Sequence, residues 1–241
     1  MSVLDAMAAA GHEQVVLVAD AGTGLRAIIA IHSTALGPAL GGVRFWHYDC
    51  EEDAVRDALR LSEAMTLKAA AAGLDQGGGK VVVMLDEARP RDEATLRALG
   101  RAIDELGGRY IAAEDVGATE QDMNWIALET PWVTGVSVVD GGSGDPSPTT
   151  AVGVVAGIRA VLQEVHDDPS PAGRHIAVQG TGHVGSNVVR LLVAAGAHVS
   201  VADLRPDGPA ALAADLGVDV LDVDEIVFAE CDVLSPCALG S

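Results

Sequence analysis

The sequence predicts a two-domain α/β protein, and three observations predict it. Short Val/Ile/Leu-rich runs alternate with amphipathic helical stretches along the chain, the pattern of layered strands and helices. The segment Asp140-Gly141-Gly142-Ser143-Gly144-Asp145-Pro146-Ser147-Pro148 is the densest run of turn formers, and it divides the chain into residues 1–140 and 141–241. Beyond it, a second alternation carries a glycine-rich turn between a strand and a helix.

Taken in order, residues 14–20 and 25–32 read as strands around the turn at Ala21 to Gly24. Leu36 to Gly42, punctuated by Gly and Pro, reads as a loop. Asp49 has the chemistry of an N-cap, with Glu52 three residues on, for a helix running to about Ala72 and stopped by Gly73. Gly77-Gly78-Gly79 reads as a second loop, with Lys80 at the head of a strand from Val81 to Leu85. A helix over about 92–106, a strand Tyr110 to Ala112, a helix over about 119–129 and a strand near Trp132 to Val136 complete the first domain. In the second, Ser147 as cap and Pro148 as first residue open a helix to about 165. Strands at 175–179, 198–202, 218–221 and 232–234 follow, each separated from the next by a helix.

Composition narrows the function. A net charge of −20 repels nucleic acid and anionic membrane surfaces, so neither is an expected partner. The cysteines Cys50, Cys231 and Cys237 form no zinc-type pair and are expected as buried free thiols, and no metal is expected. With no signal-like N-terminus and no uninterrupted apolar span, a soluble cytoplasmic protein is expected.

Lys68 and Lys80 are the only lysines among fifteen positively charged side chains. A chain that otherwise uses arginine has kept two ammonium groups, twelve residues apart and flanked by Ala, Gly, Val and Leu. Only an ammonium can lose its proton near neutral pH, so both read as working groups. Lys68 falls on an apolar helical stripe with Leu61, Met65 and Ala72, where it must snorkel or face a cleft. Two ammonium groups close together would depress one another's pKa, as would burial. Asp115 follows a strand of small residues and reads either as a cleft acid or as the cap of the next helix.

Gly180-Thr181-Gly182-His183-Val184-Gly185 matches G-x-G-x-x-G, follows the strand His175 to Gln179 and precedes a helix read as Asn187 to Ala195. Asp203 ends the next strand eighteen residues past Gly185. Together these form a dinucleotide fingerprint in a Rossmann-type domain. Asp203 is expected to accept the adenosine ribose hydroxyls, which favours NAD, with Arg205 a mild contrary signal.

Six motifs carry a resemblance covering about His12 to Gly240. They are Gly37-Pro38-Ala39-Leu40-Gly41-Gly42, Met65-Thr66-Leu67-Lys68, Gly77-Gly78-Gly79-Lys80, Ala113-Glu114-Asp115-Val116-Gly117, Gly144-Asp145-Pro146-Ser147-Pro148, and the run from Cys231 to Gly240. On them the chain resembles the glutamate/leucine/phenylalanine/valine amino-acid dehydrogenases, most of all the leucine and valine branch. The resemblance implies reversible oxidative deamination of an L-amino acid to a 2-oxo acid and ammonium, in a homo-oligomer assembled through the N-terminal domain. It implies Lys68 as the carboxylate anchor, Lys80 as the catalytic lysine and Asp115 as the acid/base. Leu40, Gly41, Gly42 and Ala113 would line the substrate site. Thr150, Cys237 and Ala238 would join Gly180, Thr181, Gly182, His183, Val184, Gly185 and Asp203 around NAD. Family members continue well past the Pro236-Cys237-Ala238-Leu239-Gly240 motif, so the Rossmann-type domain is expected to be incomplete at its C-terminus. The other readings are a truncated or non-catalytic subunit, a phenylalanine-type enzyme, and a dehydrogenase of hydroxy acids.

Overall fold

A computed structural model describes residues 2–86 and 91–238, in two compact units, Met1–Asp145 and Pro146–Ser241. In the first unit, helix α1 (Val3–Ala10), closed by a Ser2/Asp5 capping box, precedes strands β1 (Gln14–Asp20), β2 (Leu25–Ser33) and β3 (Ala39–Trp46). Helix α2 (Glu51–Ala71), strand β4 (Gly77–Met84), helix α3 (Glu93–Asp104), strand β5 (Tyr110–Glu114) and helix α4 (Glu120–Ala127) follow. The five strands form one sheet in the order β1-β2-β4-β3-β5, with β4, β3 and β5 parallel and β1 and β2 antiparallel to their neighbours.

Alternation along the strands sorts side chains to two faces. Leu25, Ala27, Ile29 and Ile31 of β2 join Val43, Phe45, Val81, Val83, Tyr110 and Ala112 against α3 and α4 in the main core. The opposite face buries Ile28, Ala30 and Val82 under Ala54, Val55, Ala58 and Leu59 of α2.

The glycine runs read as loops are strands. Gly77–Gly79 open β4, and Gly41 and Gly42 lie inside β3. Glycine normally signals a break, but here it permits contact that no side chain would. A Cβ on Gly41 would stand 1.7 Å from the Gly79 carbonyl oxygen, and one on Gly78 would stand 2.2 Å from the Thr66 nitrogen of α2. One on Gly79 would stand 2.6 Å from the Tyr110 ring. Helix and sheet therefore meet backbone to backbone around Lys80.

Other boundaries shift for local reasons. Cys50, not Asp49, sits at the N-cap of α2 and makes no side-chain cap bond, so the first turn rests on Glu51, Glu52 and Asp53 facing the helix dipole. The run Trp132 to Val136 contributes one bridge, Ala112 to Val133, instead of a strand, and α1 was not anticipated. Cys50 is exposed rather than buried, and Cys231 and Cys237 are half-buried; all three are free thiols.

The second unit opens with helix α5 (Ser147–His166), whose N-cap position is Pro146, one residue earlier than read. Strand β6 (His175–Gln179), helix α6 (His183–Ala194), strand β7 (His198–Ala202), helix α7 (Asp207–Leu216) and strands β8 (Asp219–Val220) and β9 (Val233–Pro236) follow. Between β8 and β9 a single 3-10 turn, Ile226–Phe228, replaces the expected helix. All four strands are parallel, in the order β8-β7-β6-β9. Sheet order therefore reverses at the first strand of the unit, the arrangement that opens a ligand crevice beyond the strand ends in doubly wound folds. Val155, Ile158 and Leu162 of α5 and Val188, Val189 and Leu192 of α6 pack against Ile176, Val178, Val199 and Val201. No helix among the described residues is long and apolar enough to cross a membrane.

Candidate active site

Strand register assembles the site in the first unit. Leu40 of β3 pairs with Gly78 of β4 and Ile111 of β5, Gly42 pairs with Ala113, and Arg44 pairs with Val82. With a two-residue side-chain period, Leu40, Gly42, Arg44, Lys80 and Ala113 share the face that carries α2. Gly41 alternates to the other face, where the Tyr110 hydroxyl donates to its carbonyl. A Cβ on Gly42 would stand 2.5 Å from the Cβ of Asp115, so glycine there admits the acid to this face.

Lys80 is 4% exposed, and its Nζ donates to Asp115 Oδ2 at 2.5 Å. Burying an unpaired ammonium costs several kcal/mol, which a directly bonded carboxylate offsets. Asp115 also accepts Arg44 Nε at 3.0 Å, again on Oδ2. Arg44 Nη1 reaches Asp57 Oδ2 of α2 at 2.9 Å, and that oxygen accepts the Tyr48 hydroxyl at 2.7 Å. Asp115 is not a helix cap: Thr119 and Asp122 form the capping box of α4.

Burial lowers the Lys80 pKa, Asp115 pulls it back up, Arg44 lowers it again, and the balance lies below the ordinary lysine value. For Asp115 burial acts upward, but Lys80 and Arg44 outweigh it and hold the carboxyl below its usual range. The site therefore pairs an ammonium inclined to release its proton with a carboxylate that stays ionised. The like charge acting on Lys80 is Arg44, not Lys68. Lys68 lies beside the buried Ala69 but is itself exposed, and it makes no hydrogen bond or ion pair with the described residues. The apolar stripe of its helix therefore does not extend to it, since α2 buries Ala54, Val55, Ala58, Leu59, Ser62 and Ala69. Arg44 was missed because nothing in the sequence distinguishes it from twelve other arginines.

The second unit gathers its expected residues at the carboxyl ends of β6 and β7. Gly180, at φ +96°, makes the tight turn, and a Cβ there would stand 2.5 Å from the Ala238 nitrogen. Gly185 packs so closely that its Cβ would stand 1.9 Å from the Gly180 oxygen, while a Cβ on Gly182 would meet nothing within 4 Å. These are the three demands of a pyrophosphate turn: a sharp bend, an open backbone approach, and close helix packing. Helix α6 begins at His183, four residues before the expected Asn187, so its free N–H groups face that opening. Val184 lies in the first turn of α6, half-buried against the core of the unit. Cys237 donates its backbone N–H to Gln179, which brings Cys237 and Ala238 against the turn.

Both carboxylate oxygens of Asp203 already accept hydrogen bonds within the protein. Its Oδ2 accepts the Thr181 N–H at 2.7 Å and the Thr181 hydroxyl at 3.1 Å, and its Oδ1 accepts the Arg205 N–H at 2.9 Å. Burial raises its pKa, but these donors prevail and keep it ionised at lower pH than usual. Thr150 is exposed in the first turn of α5, its hydroxyl on the Pro146 carbonyl at 3.0 Å. Leu239 and Gly240 lie outside the described residues. A cavity of about 650 Å³ elsewhere in this unit, bounded by His175, Ser200, Asp219 and Phe228, includes none of the expected site residues.

Fold and fingerprint define a two-unit α/β protein whose second unit is of Rossmann type. Residues 12–132 match the Glu/Leu/Phe/Val dehydrogenase dimerisation domain, and residues 141–227 match the glutamate/leucine/phenylalanine/valine dehydrogenase domain. A leucine dehydrogenase of Thermoactinomyces intermedius is 48% identical over 241 residues, all of this chain and 66% of its own. A valine dehydrogenase of Streptomyces coelicolor is 47% identical over 233 residues, covering 95% of this chain and 64% of its own. The crystal structure of L-tryptophan dehydrogenase from Nostoc punctiforme superposes with a TM-score of 0.74 at 37% identity, over 99% of this chain and 67% of that one. The chain belongs to the Glu/Leu/Phe/Val dehydrogenase family. It spans just under two thirds of the length of its leucine and valine dehydrogenase relatives.

Proposed function

We propose that this protein catalyses the reversible, NAD-dependent oxidative deamination of a small or branched aliphatic L-amino acid to its 2-oxo acid and ammonium. The observation that carries the reading is the buried Lys80 ammonium, held at 2.5 Å by Asp115 on a glycine-floored sheet face. The fingerprint fits the cofactor, because the Gly182 backbone stands open where a diphosphate would approach. Bound NAD supplies the hydride acceptor. The carboxylate of Asp203, turned to the Thr181 amide, disfavours a 2′-phosphate near the end of β7 and so favours NAD over its phosphorylated form.

Each residue then has one task. Lys68, exposed and without a protein partner among the described residues, anchors the substrate carboxylate by charge. Leu40 and Ala113, both half-buried on the Lys80 face, contact the substrate side chain, with Gly42 keeping the floor flat. Once the Cα–H bond is lost as hydride, Lys80 takes the proton of the water that adds to the iminium carbon. Asp115, ionised at rest, takes the proton of the carbinolamine hydroxyl and passes it to the amine. The C–N bond then breaks to leave 2-oxo acid and ammonia, which departs as ammonium with the proton that Lys80 had taken. A base with a lowered pKa works in its deprotonated form closer to neutrality than a free lysine would. We further infer that the protein acts in the cytoplasm as a homo-oligomer assembled through its first unit, the region matching a dimerisation domain.

The test is NADH release and ammonium formation by the purified protein across L-leucine, L-valine, L-isoleucine, L-phenylalanine, L-glutamate and 2-hydroxy acids. Equimolar NADH and ammonium are expected, with kcat/KM for the branched aliphatic substrates roughly tenfold or more above L-phenylalanine, the discrimination a shaped apolar pocket provides. The rate should rise with pH on a limb below the ordinary lysine value. NADH without ammonium identifies a hydroxy-acid dehydrogenase, and NAD binding without turnover a non-catalytic subunit; either rejects the reading.

A further inference from the structure

Arg44 links three elements through two carboxylates. From β3, its Nε bonds Asp115 beyond β5 at 3.0 Å and its Nη1 bonds Asp57 of α2 at 2.9 Å. Asp57 is itself fully engaged: Oδ2 accepts Arg44 and Tyr48, and Oδ1 accepts Arg60 Nη2 at 2.8 Å. The guanidinium is thus braced from α2 and cannot swing away from Asp115 without breaking a second bond. A planar fork bonded at two points fixes orientation as well as charge.

The geometry at Asp115 is asymmetric. Lys80 and Arg44 both bond Oδ2, and among the described residues nothing bonds Oδ1. We propose that Arg44, braced by Asp57, is a positioning residue that holds Asp115 with Oδ2 on Lys80 and Oδ1 presented for the proton transfer. The placement rests on the bonds alone; what Oδ1 exchanges its proton with rests on the deamination reading.

Three groups bear on the charge of Lys80 from the elements packed around it: Asp115 beyond β5, Arg44 of β3 and Asp57 of α2. Tyr48 and Arg60 reach it only through Asp57. Besides burial, Asp115 and Asp57 favour the charged lysine, whereas Arg44 opposes it. Removing Arg44 and removing Asp57 must therefore move Lys80 in opposite directions. Charges not gathered on Lys80 would give no such divergence, and a brace that is only structural would leave kcat unchanged in folded Arg44→Gln.

Because the chain has two lysines, selective isotope labelling of lysine gives two side-chain resonances, assigned with Lys68→Arg, and Lys80 can be titrated directly by NMR. Arg44→Gln is expected to raise the Lys80 titration midpoint by about one pH unit, a tenfold change in proton affinity, and Asp57→Asn to lower it. With substrate, Arg44→Gln should reduce kcat by roughly 10–100-fold with KM changed only a few-fold, as expected of a misplaced acid/base. Shifts of the same sign in both variants, or an unmoved Lys80 in folded Arg44→Gln, overturn the proposal. Should Arg44→Gln not fold, Asp57→Asn decides alone: a Lys80 midpoint unchanged or raised overturns it. A wild-type protein that does not turn over would reject the deamination reading while leaving this titration fully informative.

Discussion

Lys80→Ala lowers turnover by at least roughly 10²–10⁴-fold, the contribution of a positioned acid/base group, and leaves NAD affinity unchanged. The fingerprint lies in the second compact unit and Lys80 in the first. The fold survives because Asp115 keeps Arg44 as a partner and is not left as a buried lone charge. The deleted stem still leaves a cavity, which for a large-to-small core change costs about 2–5 kcal/mol. Lys80→Met therefore serves as the packed control and should be as inactive with less loss of stability. Lys80→Arg restores charge but cannot release a proton at working pH, so it should not rescue. Steady-state kinetics with NAD titration measures all three, and near-wild-type activity in Lys80→Ala contradicts the mechanism.

Gly182→Val and Gly185→Val should fail in opposite ways. At Gly182 there is no atom within 4 Å of an added Cβ, so the protein itself tolerates the change. The side chain would instead occupy the space a pyrophosphate needs, and NAD binding should weaken by roughly 10–100-fold, equivalent to the 1–3 kcal/mol a forced side chain costs. At Gly185 the added Cβ would overlap the Gly180 carbonyl oxygen at 1.9 Å, and backbone cannot rotate aside. That variant should lose at least roughly 10 °C of thermal stability. Calorimetric NAD titration and thermal melting on both variants separate the two effects. Equal melting losses with unchanged affinity would show that Gly182 faces no ligand.

The parts legible in the sequence were those written locally. Strands β1, β2 and β6 announced themselves through β-branched runs, and the fingerprint through its strand–turn–helix setting. Lys80 stood out because the chain contains only two lysines. What stayed hidden depends on contacts across the fold. Arg44 meets Asp57 thirteen residues away and Asp115 seventy-one residues away, and no local pattern marks it. The first half of β3 and the start of β4 read as loops because Gly41, Gly42 and Gly77–Gly79 look like breaks. Their role is to let strands, helix and Asp115 approach within distances that exclude a Cβ. Lys68, read from apolar spacing as snorkelling or facing a cleft, is exposed, and the buried face of its helix runs through Ala58, Leu59, Ser62 and Ala69 instead.

The claim at the centre of this account is that burial and a braced ion pair make Lys80 the proton-handling group. Its most direct measurement is the titration of the lysine-labelled wild-type protein, compared with the pH dependence of kcat/KM for NADH release. Lys80 should lose its proton below the ordinary lysine range, and the rising limb of the rate should share its midpoint. A Lys80 that titrates at or above the ordinary value, or a rate limb unrelated to it, would contradict the account.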